Sequence, residues 1–371
     1  MGLAGTLLRS RAVAALASPH GVDRYLELVN PMWAAHDVRA QVVGVVQETG
    51  GDHPVATLTL QPTSTWRGHR AGQYVQVGVE VDGARRTTRC FSISSAASLP
   101  GEPFTITVRA QDDLPGRPSV SRFLATRATP GLTVHLSQAE GDFTLPGSPA
   151  TPHGAAPVLM ISGGSGITPL MSQLRTLLRD GYDGHAGRRV TFLHYARTPA
   201  DQIFADELRF VDRADNGVDV HLVHDQAGGE PFSVESLERL VPDFRETDAW
   251  VCGPAGLVEK VREAYGDSPR LRIEFFKPAT IGTPSGATEG DVAFARSGAS
   301  AANTGETLLA QAEALGLRPE SGCRMGICFS CTSRKTSGTV RNVVTGVESS
   351  APDEDVQICV SQPVGDCVVD L

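Results

Sequence analysis

The stretch SGCRMGICFSC at residues 321–331 carries three cysteines, and a fourth, Cys359, follows further along the chain. This spacing, C-x4-C-x2-C with a distant fourth cysteine, is the plant-type arrangement of four thiolates around a [2Fe–2S] cluster. Gly322 and Gly326 let the loop turn inward without a Cβ in the way, and their amides can donate hydrogen bonds to the sulfides. The sequence predicts that the cluster ligands are Cys323, Cys328, Cys331 and Cys359.

A structural zinc site is the main alternative for these cysteines. Such sites usually present two C-x2-C pairs, and here only Cys328 and Cys331 form one. Disulfides would require an oxidising compartment, and an odd total of seven cysteines, with Cys90, Cys252 and Cys367 as the others, does not form a secreted framework. The sequence therefore favours iron–sulfur ligation in a cytoplasmic protein.

Residues 289–371 resemble a plant-type ferredoxin domain in more than the cysteine spacing. The stretch ETLL at residues 306–309, which opens the predicted helix before the cluster loop, also fits that family. The resemblance implies an α+β fold of the β-grasp type for this domain.

The overall composition is that of an ordinary globular protein. A length of 371 residues is enough for two or three domains. The formal net charge of −9 argues against a nucleic-acid-binding protein, which would carry a basic face, and is compatible with docking to a basic protein partner. No haem-ligand or 2-His-1-carboxylate pattern emerges among the ten histidines, so we expect oxygen chemistry to occur on another protein.

Residues 1–37 form a helical and apolar extension. Apolar residues between positions 3 and 16 are spaced as in a short amphipathic helix, and SPHG at residues 18–21 ends it. No run approaches the ~20 apolar residues of a membrane span, and the run after Arg11 is too short for a secretory signal. Two interpretations stay open: a helix packed on the protein body, or peripheral contact of residues 1–35 with a membrane or a membrane-bound partner.

Residues 38–150 alternate apolar and polar side chains with period two, which is typical of half-buried strands. Clear examples are YVQVGVEV at residues 74–81, FTITVR at residues 104–109 and LTVHL at residues 132–136. Short strands separated by glycine- and proline-bearing turns predict an antiparallel β-barrel.

Within this block, RCFSIS at residues 89–94 and GQY at residues 72–74 are similar to the flavin signature of the ferredoxin reductase superfamily. The resemblance implies an FAD-binding domain in which Phe91 contacts the flavin, Ser92 lies near its N5 edge and Arg89 holds a phosphate. The same family places a phosphate-binding turn and helix start near residues 116–122. The cofactor-binding residues implied here are Tyr74, Arg89, Phe91, Ser92, Ser121 and Arg122.

A strand, a glycine turn and a helix follow between residues 156 and 181. The turn GGSGITP at residues 163–169 presents backbone amides and a positive helix end to a pyrophosphate, with Thr168 expected as N-cap and Pro169 at the first helical position. The turn departs from the G-x-G-x-x-G fingerprint and resembles the nucleotide turn of the ferredoxin reductases. The residues predicted to bind NAD(P)H here are Gly163, Gly164, Gly166, Thr168 and Pro169.

Strands and helices alternate through residues 151–277, as an α/β domain with a parallel sheet requires. The strand at residues 248–251 runs into CGP at residues 252–254, and EFF closes the block at residues 274–276. CGP resembles the motif at the nicotinamide end of the reductase site. EFF resembles the end of the nucleotide domain in that family, where the terminal aromatic residue, here Phe276, lies near the flavin. The resemblance implies catalytic positions for Ser92, Cys252 and Phe276, with Gly253 and Pro254 binding the nucleotide, although Cys252 is equally well explained by tight packing.

The choice between NADPH and NADH depends on the tip of the second strand of this domain. A carboxylate there favours NADH, and a basic residue accommodates the 2′-phosphate of NADPH. The strand ends in YARTP at residues 195–199 without a carboxylate, so Arg197 predicts NADPH, with NADH possible.

The predicted domain order implies a function. A linker, residues 278–288, joins the nucleotide domain to the ferredoxin domain. NADPH would reduce the flavin, and the cluster would pass electrons one at a time to a protein acceptor. The N-terminal segment favours a membrane-associated di-iron fatty acyl(-CoA) desaturase as this acceptor. The alternatives are a ring-hydroxylating, acyl-CoA or Rieske oxygenase or demethylase, and, from another class, a redox sensor without turnover.

Overall fold

The computed structural model describes residues 17, 21–81, 86–112, 119–145, 157–181, 189–275, 289–321, 326 and 329–371. The chain divides into two compact units, Met1–Glu274 and Phe275–Leu371. The predicted linker at residues 278–288 and the predicted helix before residue 17 lie outside the described residues. Among the described residues, no helix is long and apolar enough to span a membrane.

A six-stranded antiparallel sheet opens the first unit. Its order is β4-β3-β6-β1-β2-β5, and an isolated bridge between Ile93 and Ile106 joins the two ends. Because this bridge closes the sheet, the predicted antiparallel barrel is confirmed. Valine, leucine and isoleucine side chains on alternate positions fill its interior. The strands are β1 (Val38–Thr49), β2 (Val55–Pro62), β3 (Tyr74–Val79), β4 (Thr87–Ser92), β5 (Phe104–Arg109) and β6 (Thr133–Leu136).

The N-terminal segment is held on the barrel through Arg39, a fully buried residue of β1. Its guanidinium lies 3.7 Å from the carboxylate of Asp23 in helix α1 (Val22–Val29), and it donates hydrogen bonds to the carbonyls of Pro31 and Trp33. The Asp23 carboxylate in turn accepts from the amide of Ala35. Because a buried charge requires such partners, residues 22–36 pack against the barrel.

A five-stranded sheet in the order β11-β10-β7-β8-β9 completes the first unit. The pairs β10–β7, β7–β8 and β8–β9 are parallel, as predicted. Strands β7 and β8 are buried along their whole length, as expected for strands covered on both faces. The strands are β7 (Val158–Gly163), β8 (Val190–Ala196), β9 (Val218–His224), β10 (Asp248–Gly253) and β11 (Leu271–Phe275).

Five further helices of the first unit lie among its described residues. Helix α2 follows the barrel strand β5, and its first turn is capped by Ser119, whose hydroxyl accepts from the Arg122 amide. The others alternate with the parallel strands. The helices are α2 (Val120–Arg127), α3 (Ile167–Arg179), α4 (Ala205–Arg213), α5 (Val234–Leu240) and α6 (Ala255–Tyr265).

The second unit is a mixed sheet with one described helix, which confirms the α+β prediction. The sheet order is β13-β12-β17-β14-β15, with β16 paired to β14, and only β12 and β17 pair in parallel. Helix α7 packs its apolar side chains into the core of this unit. The elements are β12 (Asp291–Phe294), β13 (Ala299–Ala302), α7 (Leu308–Ala314), β14 (Thr332–Asn342), β15 (Glu348–Ser349), β16 (Glu354–Gln357) and β17 (Ser361–Val369).

Candidate functional site

The predicted flavin residues lie on the paired strands β3 and β4. Tyr74 is directly opposite Ser92, whereas Phe91 is opposite Val75. Residues opposite each other in an antiparallel pair share a face, so Tyr74 and Ser92 lie on one face, and Phe91 and Arg89 lie on the other. Ser92 is buried, and Phe91 is half-buried against the barrel core.

The predicted second phosphate site lies at the start of α2. The hydroxyl of Ser121 accepts from the amide of Gln111. The guanidinium of Arg122 forms an ion pair of 2.8 Å with Asp112 and also donates to the carbonyl of Gln111. Arg122 therefore holds the chain before α2 in this structure, and a phosphate role for it stays a prediction.

The glycine turn and the CGP turn are in backbone contact. A Cβ at Gly166 would lie 2.2 Å from the carbonyl oxygen of Cys252, and a Cβ at Gly163 would lie 2.8 Å from the ring of Pro254. A Cβ at Gly253 would lie 2.9 Å from the amide nitrogen of Gly163. Only residues without side chains permit this approach, so the two predicted turns form one cradle at the carboxyl ends of β7 and β10.

The expected cap of the nucleotide helix was wrong. Helix α3 begins at Ile167 with Gly166 as N-cap, and Thr168 lies inside the first turn, where its hydroxyl donates to the carbonyl of Ser165. Pro169 is accordingly at the third helical position. The reason is that residues 164–166 form a 3-10 turn that winds directly into the helix.

Helix α3 fixes the nucleotide domain against the chain that follows the flavin motif. Ser172 donates to the carbonyl of Ser95 at 2.6 Å, Arg175 donates to the carbonyl of Ser94 at 2.6 Å, and Thr176 accepts from the amide of Ala97 at 2.9 Å. Consecutive turns of the nucleotide helix thus hold residues 94–97. This contact brings the glycine turn and Ser92 to the same region of the first unit.

A half-buried carboxyl, that of Glu274, lies at the junction of the two domains. The Ser92 hydroxyl donates to Oε2 of Glu274 at 3.2 Å. Burial raises the pKa of Glu274 to about 8, and the hydrogen bond from Ser92 offsets only part of that rise. Burial also raises the pKa of the Cys252 thiol well above its ordinary value, with the charge of Glu274 acting in the same direction. At neutral pH this junction is a mostly uncharged, proton-holding site.

Two arginines and a carboxylate lie at the tip of β8. Arg197 forms an ion pair of 2.7 Å with Asp201, which also accepts from the Thr198 hydroxyl. A Cβ at Gly164 would lie 3.6 Å from Nη1 of Arg109, which extends from barrel strand β5 to the glycine turn. Burial lowers the pKa of Arg109, and the positive charge of Arg197 acts in the same direction. The expectation that no carboxylate stands at this tip was therefore wrong.

Two of the four predicted cluster ligands lie among the described residues. Cys331 and Cys359 are both buried, and the amide of Ile358 donates to the carbonyl of Cys331 at 3.3 Å. The side chain of Gln357 donates to the carbonyl of Gly326 at 2.8 Å and ties the cluster loop to β16. Cys323, Cys328 and the predicted flavin contact Phe276 lie outside the described residues.

The described residues fit the predicted [2Fe–2S] cluster and the predicted nucleotide. At Gly326, where φ is +77°, a Cβ would lie 2.9 Å from the side chain of Val360, so the loop turns inward as a cluster loop must. The backbone of Cys331 is hydrogen-bonded to the residue before Cys359, which brings these two predicted ligand positions close together along the backbone. The glycine turn that contacts the CGP turn also leads directly into helix α3, whose positive amino-terminal end suits a pyrophosphate.

Sequence reasoning missed three of these functional side chains. Glu274 was read only as part of a closing motif, and its contact with Ser92 joins residues 182 positions apart. Arg109 was read as the end of a barrel strand, and Asp201 was not singled out. A carboxyl in a motif of otherwise apolar residues was the one available signal, for Glu274.

Comparison with known proteins agrees with this geometry. Family models of the oxidoreductase NAD-binding domain and of the 2Fe-2S iron-sulfur cluster binding domain match residues 160–263 and residues 294–364. Over 368 residues the chain is 37% identical to an NADPH oxidoreductase of Mycobacterium tuberculosis, which covers 97% of this chain and 91% of that protein. Over 372 residues it is 30% identical to the glycine betaine monooxygenase reductase subunit of Pseudomonas aeruginosa, with 91% and 96% covered.

Among solved structures, phthalate dioxygenase reductase, described as a modular structure for electron transfer from pyridine nucleotides to [2Fe–2S], aligns with a TM-score of 0.59. The identity is 23%, and 90% of this chain and 97% of that chain are covered, so this likeness shows the fold. The chain is thus an NAD(P)H-dependent oxidoreductase with an NAD-binding domain and a [2Fe–2S] cluster binding domain. It belongs to the ferredoxin–NADP⁺ reductase superfamily, in the group that carries a C-terminal plant-type [2Fe–2S] ferredoxin domain.

Proposed function

We propose that this protein takes electrons from NADPH and delivers them, through FAD and its [2Fe–2S] cluster, one at a time to a separate oxygenase component. The observation that carries the proposal is the hydrogen bond of 3.2 Å between Ser92 of the flavin motif and Glu274 at the end of the nucleotide domain. It joins the two halves of a reductase site through a group that holds a proton at neutral pH.

In this proposal Glu274, Ser92 and Cys252 have separate roles at the junction. When bound, the flavin accepts a hydride from the nicotinamide and releases electrons singly to the cluster. Glu274 holds a proton on its carboxyl. The Ser92 hydroxyl, which donates to this carboxyl in the structure, reverses that hydrogen bond to accept the proton while it releases its own toward the flavin side of the junction. Cys252, fully buried with a neutral thiol, helps exclude water from the same place. The domain boundaries and the individual roles of these residues are part of the proposal.

The preference for NADPH rests on Arg197, whose side chain is half exposed at the tip of β8. Asp201 neutralises it in this structure, so binding of a 2′-phosphate requires Arg197 to exchange that partner. Arg109 lies beside Gly164 and is suited to neutralise the pyrophosphate from the barrel side. The name of the mycobacterial relative, an NADPH oxidoreductase, supports the same choice.

The nature of the acceptor is supported by the relatives more than by the N-terminal segment. The Pseudomonas relative is named as the reductase subunit of a monooxygenase, which favours the alternative acceptor of the sequence analysis, an oxygenase or demethylase. A fatty acyl desaturase stays a second candidate because helix α1 and the residues after it expose apolar side chains that suit a membrane-bound partner. These are Leu28, Val29 and Trp33, exposed by 73, 72 and 53%.

An anaerobic visible titration with NADPH, and separately with NADH, tests the proposal. We expect flavin and cluster absorption to bleach together at lower concentrations of NADPH than of NADH. Steady-state reduction of ferricyanide and of cytochrome c should then both proceed with NADPH. A flavin that bleaches without any cluster signal would disprove the one-electron output, and the absence of turnover with either nucleotide would favour a redox sensor.

A further inference from the structure

The cluster loop carries a side chain that the fold of its own unit does not explain. Phe329 lies between the predicted ligands Cys328 and Cys331, and 66% of its surface is exposed. Its backbone adopts φ +55°, in the left-handed region that glycine favours and aromatic residues rarely enter. The chain thus accepts backbone strain to present an apolar ring to solvent beside the cluster ligands.

Backbone hydrogen bonding, and not packing of the aromatic ring, holds the strained turn at Phe329. The carbonyl of Phe329 accepts from both the amide and the hydroxyl of Thr332, at 3.0 and 2.7 Å. Thr332 is the first residue of β14, so the turn is anchored to the main sheet of the unit. The conformation is therefore built into the fold and does not depend on burial of the aromatic side chain.

Phe204 has a similarly strained backbone that contacts within the protein compensate. It has a similar left-handed backbone, with φ +57°, but only 5% of it is exposed. Its ring lies 4.4 Å beneath the guanidinium of Arg175, so packing offsets the strain. Phe329 receives no comparable burial from its own unit, so its ring is available for a contact outside that unit.

The formal net charge of the ferredoxin unit indicates which kind of protein Phe329 contacts. Residues 289–371 contain 11 acidic and 6 basic side chains, a formal net charge of −5. Residues 1–288 contain 31 acidic and 27 basic side chains, a net charge of −4. A second copy of this chain is acidic in both parts and does not complement an acidic ferredoxin unit, whereas a basic protein does.

We propose that Phe329 is the apolar anchor by which the ferredoxin domain docks to its electron acceptor, a protein with an apolar pocket surrounded by basic side chains. An exposed aromatic ring at the centre of a polar interface is a typical hot spot. Its position between two cluster ligands places the contact at the point where the electron leaves. This inference rests on the proposed function, because it assumes that the cluster reduces a separate protein.

The test uses the full-length holoprotein and cytochrome c, a small basic haem protein, as the acceptor probe. The variants are Phe329→Gly, which removes the ring and relieves the strained backbone, and Phe329→Tyr, which keeps an aromatic ring. Phe210→Ala is the matched control, because Phe210 is 75% exposed on helix α4 of the other unit. For each protein we would measure NADPH-driven reduction of cytochrome c and of ferricyanide, the anaerobic rate of flavin-to-cluster transfer, and the cluster spectrum.

We expect Phe329→Gly to lower kcat/KM for cytochrome c by about tenfold, mainly through KM, as for loss of an interface hot spot. Its cluster spectrum, ferricyanide turnover and flavin-to-cluster rate should stay within about twofold of wild type. Phe329→Tyr and Phe210→Ala should stay within about twofold in every assay. High salt should weaken the wild-type reaction with cytochrome c.

Three results would overturn the inference. An unchanged kcat/KM in Phe329→Gly means that the ring does not bind the acceptor. A matching loss in flavin-to-cluster transfer means that it serves transfer within the chain, and an altered cluster spectrum means that it shapes the loop. Failure of the proposed function itself is recognised in the wild-type protein, which would then reduce ferricyanide but not cytochrome c.

Discussion

Replacement of Glu274 by glutamine tests the chemistry of the domain junction through stability. The pKa of Glu274 is raised from an ordinary value of 4.5 to about 8. Each unit of pKa shift corresponds to about 1.36 kcal/mol, so the full shift corresponds to about 5 kcal/mol of folding free energy. Because the folded-state pKa is raised, the stability is fully present below about pH 4.5 and is lost as pH rises through about 8. Glutamine is neutral and similar in shape, and it carries no such dependence.

The assay is urea unfolding followed by tryptophan fluorescence at pH 5, 7 and 9. All three tryptophans, Trp33, Trp66 and Trp250, lie in the first unit, so the signal reports the unit that contains Glu274. Between pH 5 and pH 9 we expect the free energy of unfolding of Glu274→Gln to rise relative to wild type by about 4 kcal/mol.

The exposed carboxylate of Glu263 provides the matched control. Glu263→Gln should follow the wild-type curve at all three pH values, because an exposed group gains little from neutralisation. If Glu274→Gln also runs parallel to wild type from pH 5 to pH 9, Glu274 ionises in the folded protein as it does in water. The proton-holding role of the junction would then be wrong.

Three further predictions concern the nucleotide tip, the cluster loop and the N-terminal segment. Arg197→Ala should raise the KM for NADPH about tenfold and leave the KM for NADH unchanged. Asp201→Asn should lower the KM for NADPH, because it releases Arg197 from its ion pair. Steady-state kinetics with both nucleotides tests both variants. Gln357→Leu leaves the Gly326 carbonyl without its donor, at a cost of roughly 1–3 kcal/mol, and should speed bleaching of the cluster by a chelator several-fold. Arg39→Ala leaves the buried carboxylate of Asp23 without its charged partner and should destabilise the first unit by roughly 3 kcal/mol in the same fluorescence assay.

Local chemistry made much of this protein predictable from its sequence. Alternation with period two predicted the barrel strands, since one face of each strand must be buried and the other is not. The glycine turn at residues 163–166 was predicted because a turn into a helix start suits a pyrophosphate, and the turn at residues 252–254 was implied by the family resemblance. The cysteine spacing predicted the cluster domain, because three thiolates from one loop require that pattern.

Two side-chain pairings were decided only by the three-dimensional structure. Arg197 and Asp201 form an ion pair because a 3-10 turn at residues 199–201 folds back on the strand tip. Glu274 meets Ser92 because helix α3 docks the nucleotide domain on residues 94–97, and no periodicity or motif encodes that docking. Sequence patterns report which face of an element is buried and which turns need glycine. Pairing between side chains of different domains depends on how those elements pack in space, which is why the proton-holding junction emerged only from the structure.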